Sequence, residues 1–268
     1  MRVPGLIIVL LLFSQWSDAA QDPAAFEQEL VTGLILQIEP AELVWLQAED
    51  TSFAGLFRTT REAGTRAVVL LHGMGAHADW PGLVNTLRVR LPANGWTTLS
   101  IQLPVLPPQE SLSDYGMQLN RSVARVRSAV SYLKQAGYTD IGLVGYGFGA
   151  SVAVSYLAGD TKEVGGLAAI SLQEFPFLEP PFKLVEQLAR VQVPLLDIYA
   201  GQDFPDVLRS VDDRRLAAMR AANNAFVQLP VAEADHYFTG RQNEVTDRIT
   251  LWLDAIMPAQ GQTDLIYL

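Results

Sequence analysis

Short apolar runs alternate with amphipathic stretches along most of the chain. The run AVVLL at 67–71 is continuously apolar, as expected for a strand buried on both faces of a sheet. Other strand-like runs lie at 43–46, 53–57, 97–103, 141–144, 166–172, 194–199 and 227–229. The first two are expected to form a hairpin. Because helical stretches separate the later runs, the pattern predicts a mostly parallel sheet covered by helices.

The clearest predicted helix spans residues 112–136. Apolar residues recur there at steps of three and four, at Leu112, Tyr115, Leu119, Val123, Val126, Val130 and Leu133. Gly137 suits a left-handed C-terminal cap. Arg125 and its neighbouring arginines lie mostly away from the apolar stripe, so a solvated face is expected for them. A terminal helix is predicted at 243–256.

The first nineteen residues differ in character from the rest. Arg2 supplies a positive start, Leu6 to Phe13 is an unbroken apolar run, and Ser17-Asp18-Ala19 fits a small-x-small cleavage site. A membrane span needs about 20 apolar residues, and this run is well short of that. We therefore expect a cleaved secretory signal peptide at 1–19 rather than a retained anchor.

Charge and cysteine content exclude some classes of partner and favour certain cellular compartments. The chain has 19 Lys+Arg, 29 Asp+Glu, a net charge of −10 and no cysteine. An acidic surface repels nucleic acid and anionic headgroups, so neither is expected as a partner. An exported chain could use disulfides, but this one must rely on its core. The expectation is a periplasmic or secreted protein with no stable membrane span after signal cleavage.

The stretch GLVGYGFGAS at 142–151 carries the first candidate chemistry. An apolar strand enters this glycine turn and a helix leaves it, which is the architecture of a nucleophile elbow. In the G-x-S-x-G form of that turn the central residue attacks the substrate, but here it is Gly147, which has no side chain. A dinucleotide-binding loop is disfavoured, because the turn lies deep in the chain and Glu163 precedes the next strand instead of ending it.

The loop after the strand at 67–71 would supply half of an oxyanion hole. His72-Gly73 ends that strand, and the backbone amides of Met74 and Phe148 would be the two donors. His72 itself is expected to hydrogen-bond its own loop, and it is kept as a candidate pocket residue together with Tyr146.

Two later strand ends carry a candidate catalytic pair. Asp203 follows the strand at 194–199, and His236 follows the last strand, so the chain order is elbow, acid, histidine. Glu174 is a lower-ranked replacement acid. Ser151, one helical turn beyond Gly147, is expected to be a small packing residue and not a nucleophile.

The segment EFPFLEPPF at 174–182 is apolar and rich in proline. It would form a stiff lip over a pocket with Phe175, Phe177 and Phe182 as its apolar lining, and ordinary packing beneath a loop is the equal alternative. A real lip implies a partly apolar ligand. The three histidines show no metal-ligand spacing and no phosphate-cradling loop is present, so no metal or other cofactor is expected.

On these motifs the chain resembles an α/β-hydrolase, and within that superfamily a poorly characterised bacterial envelope group of unknown function, here with glycine at the nucleophile position. The resemblance covers roughly residues 42–257 and rests on LLHGMG at 70–75, VGYGFGAS at 144–151, GQD at 201–203 and DH at 235–236. It implies one α/β-hydrolase-like domain over 20–268, with a mostly parallel central sheet flanked by helices and no large lid domain.

Three functions remain open at this point. The favoured one is a non-catalytic protein that uses the pocket to bind a small-molecule ligand or an envelope protein, because an acyl-enzyme at residue 147 is impossible. In the second, His236 and Asp203 activate a water against a small, partly apolar ester-like substrate. In the third, the fold is an envelope interaction scaffold and the two residues are relics.

Overall fold

A computed structural model describes residues 22–38, 42–61, 64–159 and 163–259, and the predicted signal peptide lies outside them. The strands are β1 (Glu42–Ala48), β2 (Thr51–Arg58), β3 (Arg66–Leu71), β4 (Thr97–Ile101), β5 (Asp140–Tyr146), β6 (Gly166–Ile170), β7 (Leu195–Gln202) and β8 (Phe226–Asp235). The α-helices are α1 (Pro23–Ile35), α2 (Leu83–Arg90), α3 (Tyr115–Gln135), α4 (Phe148–Leu157), α5 (Leu184–Leu188), α6 (Pro205–Arg209), α7 (Val211–Arg220) and α8 (Gln242–Ile256). Short 3-10 helices cover Leu91–Asn94 and Leu112–Asp114.

The strands form one eight-stranded sheet in the order β1-β2-β4-β3-β5-β6-β7-β8. The leading hairpin pairs β1 with β2, and β2 then pairs antiparallel with β4. Every later pairing, from β3–β4 to β7–β8, is parallel. The prediction of a mostly parallel sheet flanked by helices is therefore confirmed.

Successive side chains of β3 point to opposite faces of the sheet, and each face has its own apolar core. Val69 and Leu71 pack in one apolar layer with α3 and α4, whereas Val68 and Leu70 pack in the other with α2 and α8. All four side chains are essentially inaccessible to solvent. The continuous apolar run is thus explained by burial on both faces, and the sheet is a rigid base for the loops at its edge.

The parallel strands bring the candidate residues to one edge of the sheet. Met74 follows β3, Gly147 follows β5, Asp203 follows β7 and His236 follows β8. Because the carboxyl ends of parallel strands meet at the same edge, residues far apart in sequence become neighbours there.

The N-terminal helix α1 changes one expectation about charge. Arg125 on α3 is buried and donates to the Glu27 carboxylate of α1 at 2.6 Å and 3.2 Å, and to the Gln102 carbonyl at 2.9 Å. The expectation of a solvated face is wrong for this residue, because α1 covers it. In the part of the chain that the structure describes, no helix is both long and apolar enough to cross a bilayer.

Candidate active site

The turn between β5 and α4 has the tight geometry that the sequence predicts for an elbow. Gly147 has φ +55° and ψ −116°, and its amide donates to the Ile170 carbonyl of β6 at 2.9 Å. A Cβ at Gly145 would lie 2.6 Å from the Ala150 Cα, and one at Gly149 would overlap the Leu71 carbonyl oxygen. Both flanking glycines are therefore required for the strand and the helix to approach so closely.

Gly147 itself is different, because its surroundings leave room for a side chain. The nearest heavy atom to a Cβ at this position would be the Gly73 Cα, at 4.0 Å. Space above the elbow is therefore open, and only the positive φ disfavours an L-residue there. The loop that follows β3 faces this open space from the other side.

Asp203 and His236 form a close pair at the same edge of the sheet. The His236 Nδ1 lies 2.6 Å from the Asp203 Oδ1. The carboxylate also accepts hydrogen bonds from the Ser171 hydroxyl (2.7 Å) and from the amides of Ala200 (3.0 Å) and Phe204 (2.8 Å). Burial acts to raise the pKa of Asp203, but the bonds from His236, Ser171 and the two amides outweigh it and hold that pKa below its ordinary value. The acid is thus ionised and fixed, and it orients the imidazole.

Two aromatic rings pack against the His236 imidazole. Phe204 stacks on it with ring centroids 3.8 Å apart and planes 15° apart, and Tyr146 stacks at 5.4 Å and 30°. The Tyr146 hydroxyl donates to the His236 carbonyl at 2.9 Å, and burial, with Asp203 nearby, raises the pKa of that phenol. Since Tyr146 directly precedes Gly147, this contact brings the imidazole beside the elbow. The other ring nitrogen, Nε2, has no hydrogen-bond partner among the residues the structure describes, so it is available to act as a base.

The two predicted oxyanion donors lie on either side of the open space. Phe148 is the first residue of α4, and Met74 follows Gly73 in the opposing loop. Within the described ranges, neither backbone amide has a hydrogen-bond acceptor. Tyr115 supports the start of α4, since its ring packs on Phe148 with ring centroids 5.6 Å apart and its hydroxyl accepts a hydrogen bond from the Leu106 amide at 3.1 Å. This arrangement can stabilise negative charge on a ligand oxygen.

His72, one of the candidate pocket residues, is buried and holds the loop that follows β3, as the sequence predicts for its ring. It is 1% exposed. Its Nδ1 donates to the Gly73 carbonyl at 2.8 Å and its Nε2 accepts from the Leu103 amide at 3.0 Å, which fixes the neutral tautomer. Burial lowers the pKa of His72 to about 3. The imidazole is therefore a structural link between the loop after β3 and the end of β4.

The segment 174–182 contributes one exposed aromatic ring to the surface. Phe175 is buried against Phe148 with ring centroids 6.0 Å apart, so ordinary packing explains it. Phe177 stacks edge-on against Phe175 at 5.8 Å and is 43% exposed. The segment is anchored below by the Glu179 amide, which donates to the Ser113 carbonyl at 2.9 Å.

Sequence reasoning did not find two contributors to the site. Phe204, the neighbour of Asp203, both stacks on the imidazole and donates its amide to the carboxylate. Ser171 at the end of β6, with a φ of +50°, turns its hydroxyl to Asp203. Their positions next to a candidate acid and at a neighbouring strand end were the available signals. Among the described residues, no group of three or more His, Asp or Glu is placed to hold a metal ion.

An eight-stranded, mostly parallel sheet with an elbow after β5, an acid after β7 and a histidine after β8 defines the α/β-hydrolase fold. Solved structures agree. Dienelactone hydrolase from Anabaena variabilis superposes with a TM-score of 0.67 at 18% identity, covering 81% of this chain and 97% of its own. Esterase Pf2001 from Pyrococcus furiosus gives 0.66 at 18% identity, covering 81% and 91%. Est1E from Butyrivibrio proteoclasticus gives 0.64 at 11% identity, covering 80% and 98%.

The chain belongs to the family of proteins of unknown function DUF3530, whose model matches residues 13–118 and 107–255. No functionally curated protein matches the sequence. At identities of 11–18%, the solved structures establish the fold alone.

Proposed function

We propose that this protein binds a small, partly apolar ester-like compound over Gly147 and hydrolyses it with a water that His236 activates. The observation that carries the proposal is a fully bonded Asp203–His236 pair beside an elbow that has no nucleophile. Four donors hold the Asp203 carboxylate and so orient the imidazole, and its Nε2 has no hydrogen-bond partner among the described residues. A relic pair has no need of such complete support.

The chemistry follows from the open space above Gly147. A serine side chain at this position would occupy a volume similar to that of one water molecule, and a water there can be polarised by the His236 Nε2. The water attacks the carbonyl carbon while its proton passes to Nε2. The Met74 and Phe148 amides receive the negative charge that develops on the carbonyl oxygen. The imidazolium then protonates the leaving alcohol, and no covalent intermediate forms.

The surroundings favour a substrate that is partly apolar. Phe177 and Phe204 are each 43% exposed and Tyr237 is 59% exposed, and all three contact aromatic residues of the site. Exposed aromatic rings beside a polar centre suit a ligand that has an apolar group next to its reacting carbonyl. Proteins of similar fold include an esterase and a dienelactone hydrolase, and this class of ligand is compatible with them.

The test is hydrolysis of a panel of short-chain aryl esters by purified protein. His236→Ala should lower turnover by roughly 10²- to 10⁴-fold, the usual contribution of a general base. His77→Ala is the matched control, since His77 hydrogen-bonds and stacks within its own loop. Mass spectrometry after rapid quenching should find no acyl adduct. A trapped acyl-enzyme, or equal turnover by wild type and His236→Ala, would contradict the proposal.

A second candidate is a non-catalytic binding protein, and the glycine at position 147 favours it. Under this alternative the same aryl esters bind but are not turned over, and His236→Ala changes affinity without changing any rate. Calorimetric titration with a non-hydrolysable amide analogue, next to the ester assay, separates the two candidates.

A further inference from the structure

In the described site, the base of the Asp203–His236 pair has no protein hydroxyl to deprotonate. In a serine hydrolase the hydroxyl of the nucleophile hydrogen-bonds to the basic nitrogen of the histidine. Here Nε2 of His236 has no hydrogen-bond partner among the described residues. What this nitrogen deprotonates is therefore decided by the ligand. The space next to Gly147 is open out to the Gly73 Cα, 4.0 Å from where a Cβ would lie.

We propose that this site also removes a proton from the carbon next to a ketone carbonyl and stabilises the enolate that results. The ligand class is an apolar or aryl ketone with an α-CH₂ or α-CH₃ group. The activity uses the same site as the proposed hydrolysis, but it requires neither a leaving group nor an attacking water.

The step balances without any co-reactant. The His236 Nε2 takes the α-proton, and the electron pair of the C–H bond becomes the C=C bond of the enolate. The electrons of the C=O π bond move to oxygen, where the Met74 and Phe148 amides donate hydrogen bonds. Asp203 stabilises the imidazolium, which exchanges its proton with solvent and returns a solvent proton to carbon.

Three observations support proton removal from carbon. The missing side chain leaves room for an α-methyl or α-methylene group where a serine hydroxyl would otherwise lie. Phe204 stacks closely on the imidazole, and His236 has only 11% of its side chain exposed, so the base is shielded from bulk water. Shielding strengthens the electrostatic contribution of the Asp203 carboxylate and of the two amides. A protein nucleophile, which would trap the carbonyl carbon, is not present at residue 147.

The experiment follows hydrogen exchange into a ketone by proton NMR. Acetophenone is incubated with purified protein in D₂O, and loss of the methyl signal is recorded over time. Acetophenone has no leaving group, so ester hydrolysis cannot contribute. We expect exchange by wild type and by His77→Ala to exceed exchange by His236→Ala by roughly 10²- to 10⁴-fold. Gly147→Ser should also lose exchange, because its hydroxyl fills the space and hydrogen-bonds to Nε2.

The outcomes separate this inference from the proposed hydrolysis. Ester turnover without ketone exchange would overturn the inference and leave the hydrolase proposal standing. Exchange without ester turnover would support the inference and count against hydrolysis. Exchange that persists equally in His236→Ala would overturn the inference, since the base would then be another group. Gly147→Ser that keeps full exchange while staying folded would overturn the role given to the open space.

Discussion

Protonation of His72 is a direct test of how the loop after β3 is held. The imidazole is 1% exposed, and burial lowers its pKa from 6.5 to about 3 in the folded protein. Its Nε2 accepts the Leu103 amide, so a proton on that nitrogen would break the bond to β4. Folding therefore holds His72 in its neutral form.

The sign of the pH dependence follows from this depressed pKa. As pH falls below 6.5 the unfolded chain binds a proton at His72 before the folded chain does, so stability is lost. The contribution is fully present above pH 6.5 and declines towards pH 3. Well inside this window each pH unit removes about 1.4 kcal/mol. Because the unfolded imidazole is already half protonated at pH 6.5, the loss from pH 6.5 to 4.5 is about 2 kcal/mol.

The assay is urea unfolding of wild type and His72→Asn at several pH values, followed by tryptophan fluorescence. His72→Asn removes the titrating group, so acidic residues common to both proteins cancel in the difference. Between pH 6.5 and 4.5 the wild type should lose about 2 kcal/mol more than the variant. Parallel pH profiles, or a His72 ring that titrates near 6.5 by NMR, would show that the imidazole is not held neutral.

Two further predictions concern the elbow and the acid. Gly147→Ser places an L-residue at φ +55°, which should lower the free energy of unfolding in urea by about 1–3 kcal/mol; it should also allow an acyl adduct detectable by mass spectrometry, and a variant as stable as wild type would contradict the strain. Ser171→Ala removes one donor to Asp203 and should raise the pKa of that carboxyl towards 3.8. A carboxyl whose pKa is depressed on folding stabilises the protein above pH 3.8, and this stabilisation is lost as the pH falls through the folded pKa. The variant should therefore unfold at a higher pH in acid than the wild type. Coincident acid-unfolding curves would refute the role of Ser171.

The sheet could be predicted because its signals are local. The apolar run of β3 is buried on both faces, and its length and flanking turns marked it as a strand. The strand ends then fixed the order of Gly147, Asp203 and His236 along one edge. Topology follows from these parts, since parallel strands with helical crossovers leave few arrangements.

Helix α7, which the sequence pattern does not predict, lacks such a local signal. In α7 the sequence VDDRRLAAMR carries many charges, and Met219 is 69% exposed, so no apolar stripe marks the helix. Instead, the helix buries Arg214, which donates to Asp197 on β7 at 2.8 Å, together with Ala217 and Ala218. A buried ion pair between distant elements cannot be recognised from the spacing of apolar residues.

In the site, the positions of the candidate residues along the chain could be predicted, but the orientation of their side chains could not. That Asp203 and His236 lie at one edge follows from topology, but the stacking of Phe204 on the imidazole depends on the backbone turn after β7. The burial of His72 likewise depends on the neighbouring strand, whose Leu103 amide completes its bonding. Contacts set by side-chain direction at turns are beyond what periodicity can predict.

The anchoring of the segment 174–182 has a consequence for how ligands enter and leave. Gly116 lies so close to the Glu179 backbone that a methyl group there would overlap it, and Phe175 and Phe182 are buried beneath. Because these contacts hold the segment at its middle and near both ends, it cannot move as a hinged lid. Ligand association should therefore be a single bimolecular phase whose rate rises linearly with concentration, without the plateau that a slow closing step produces.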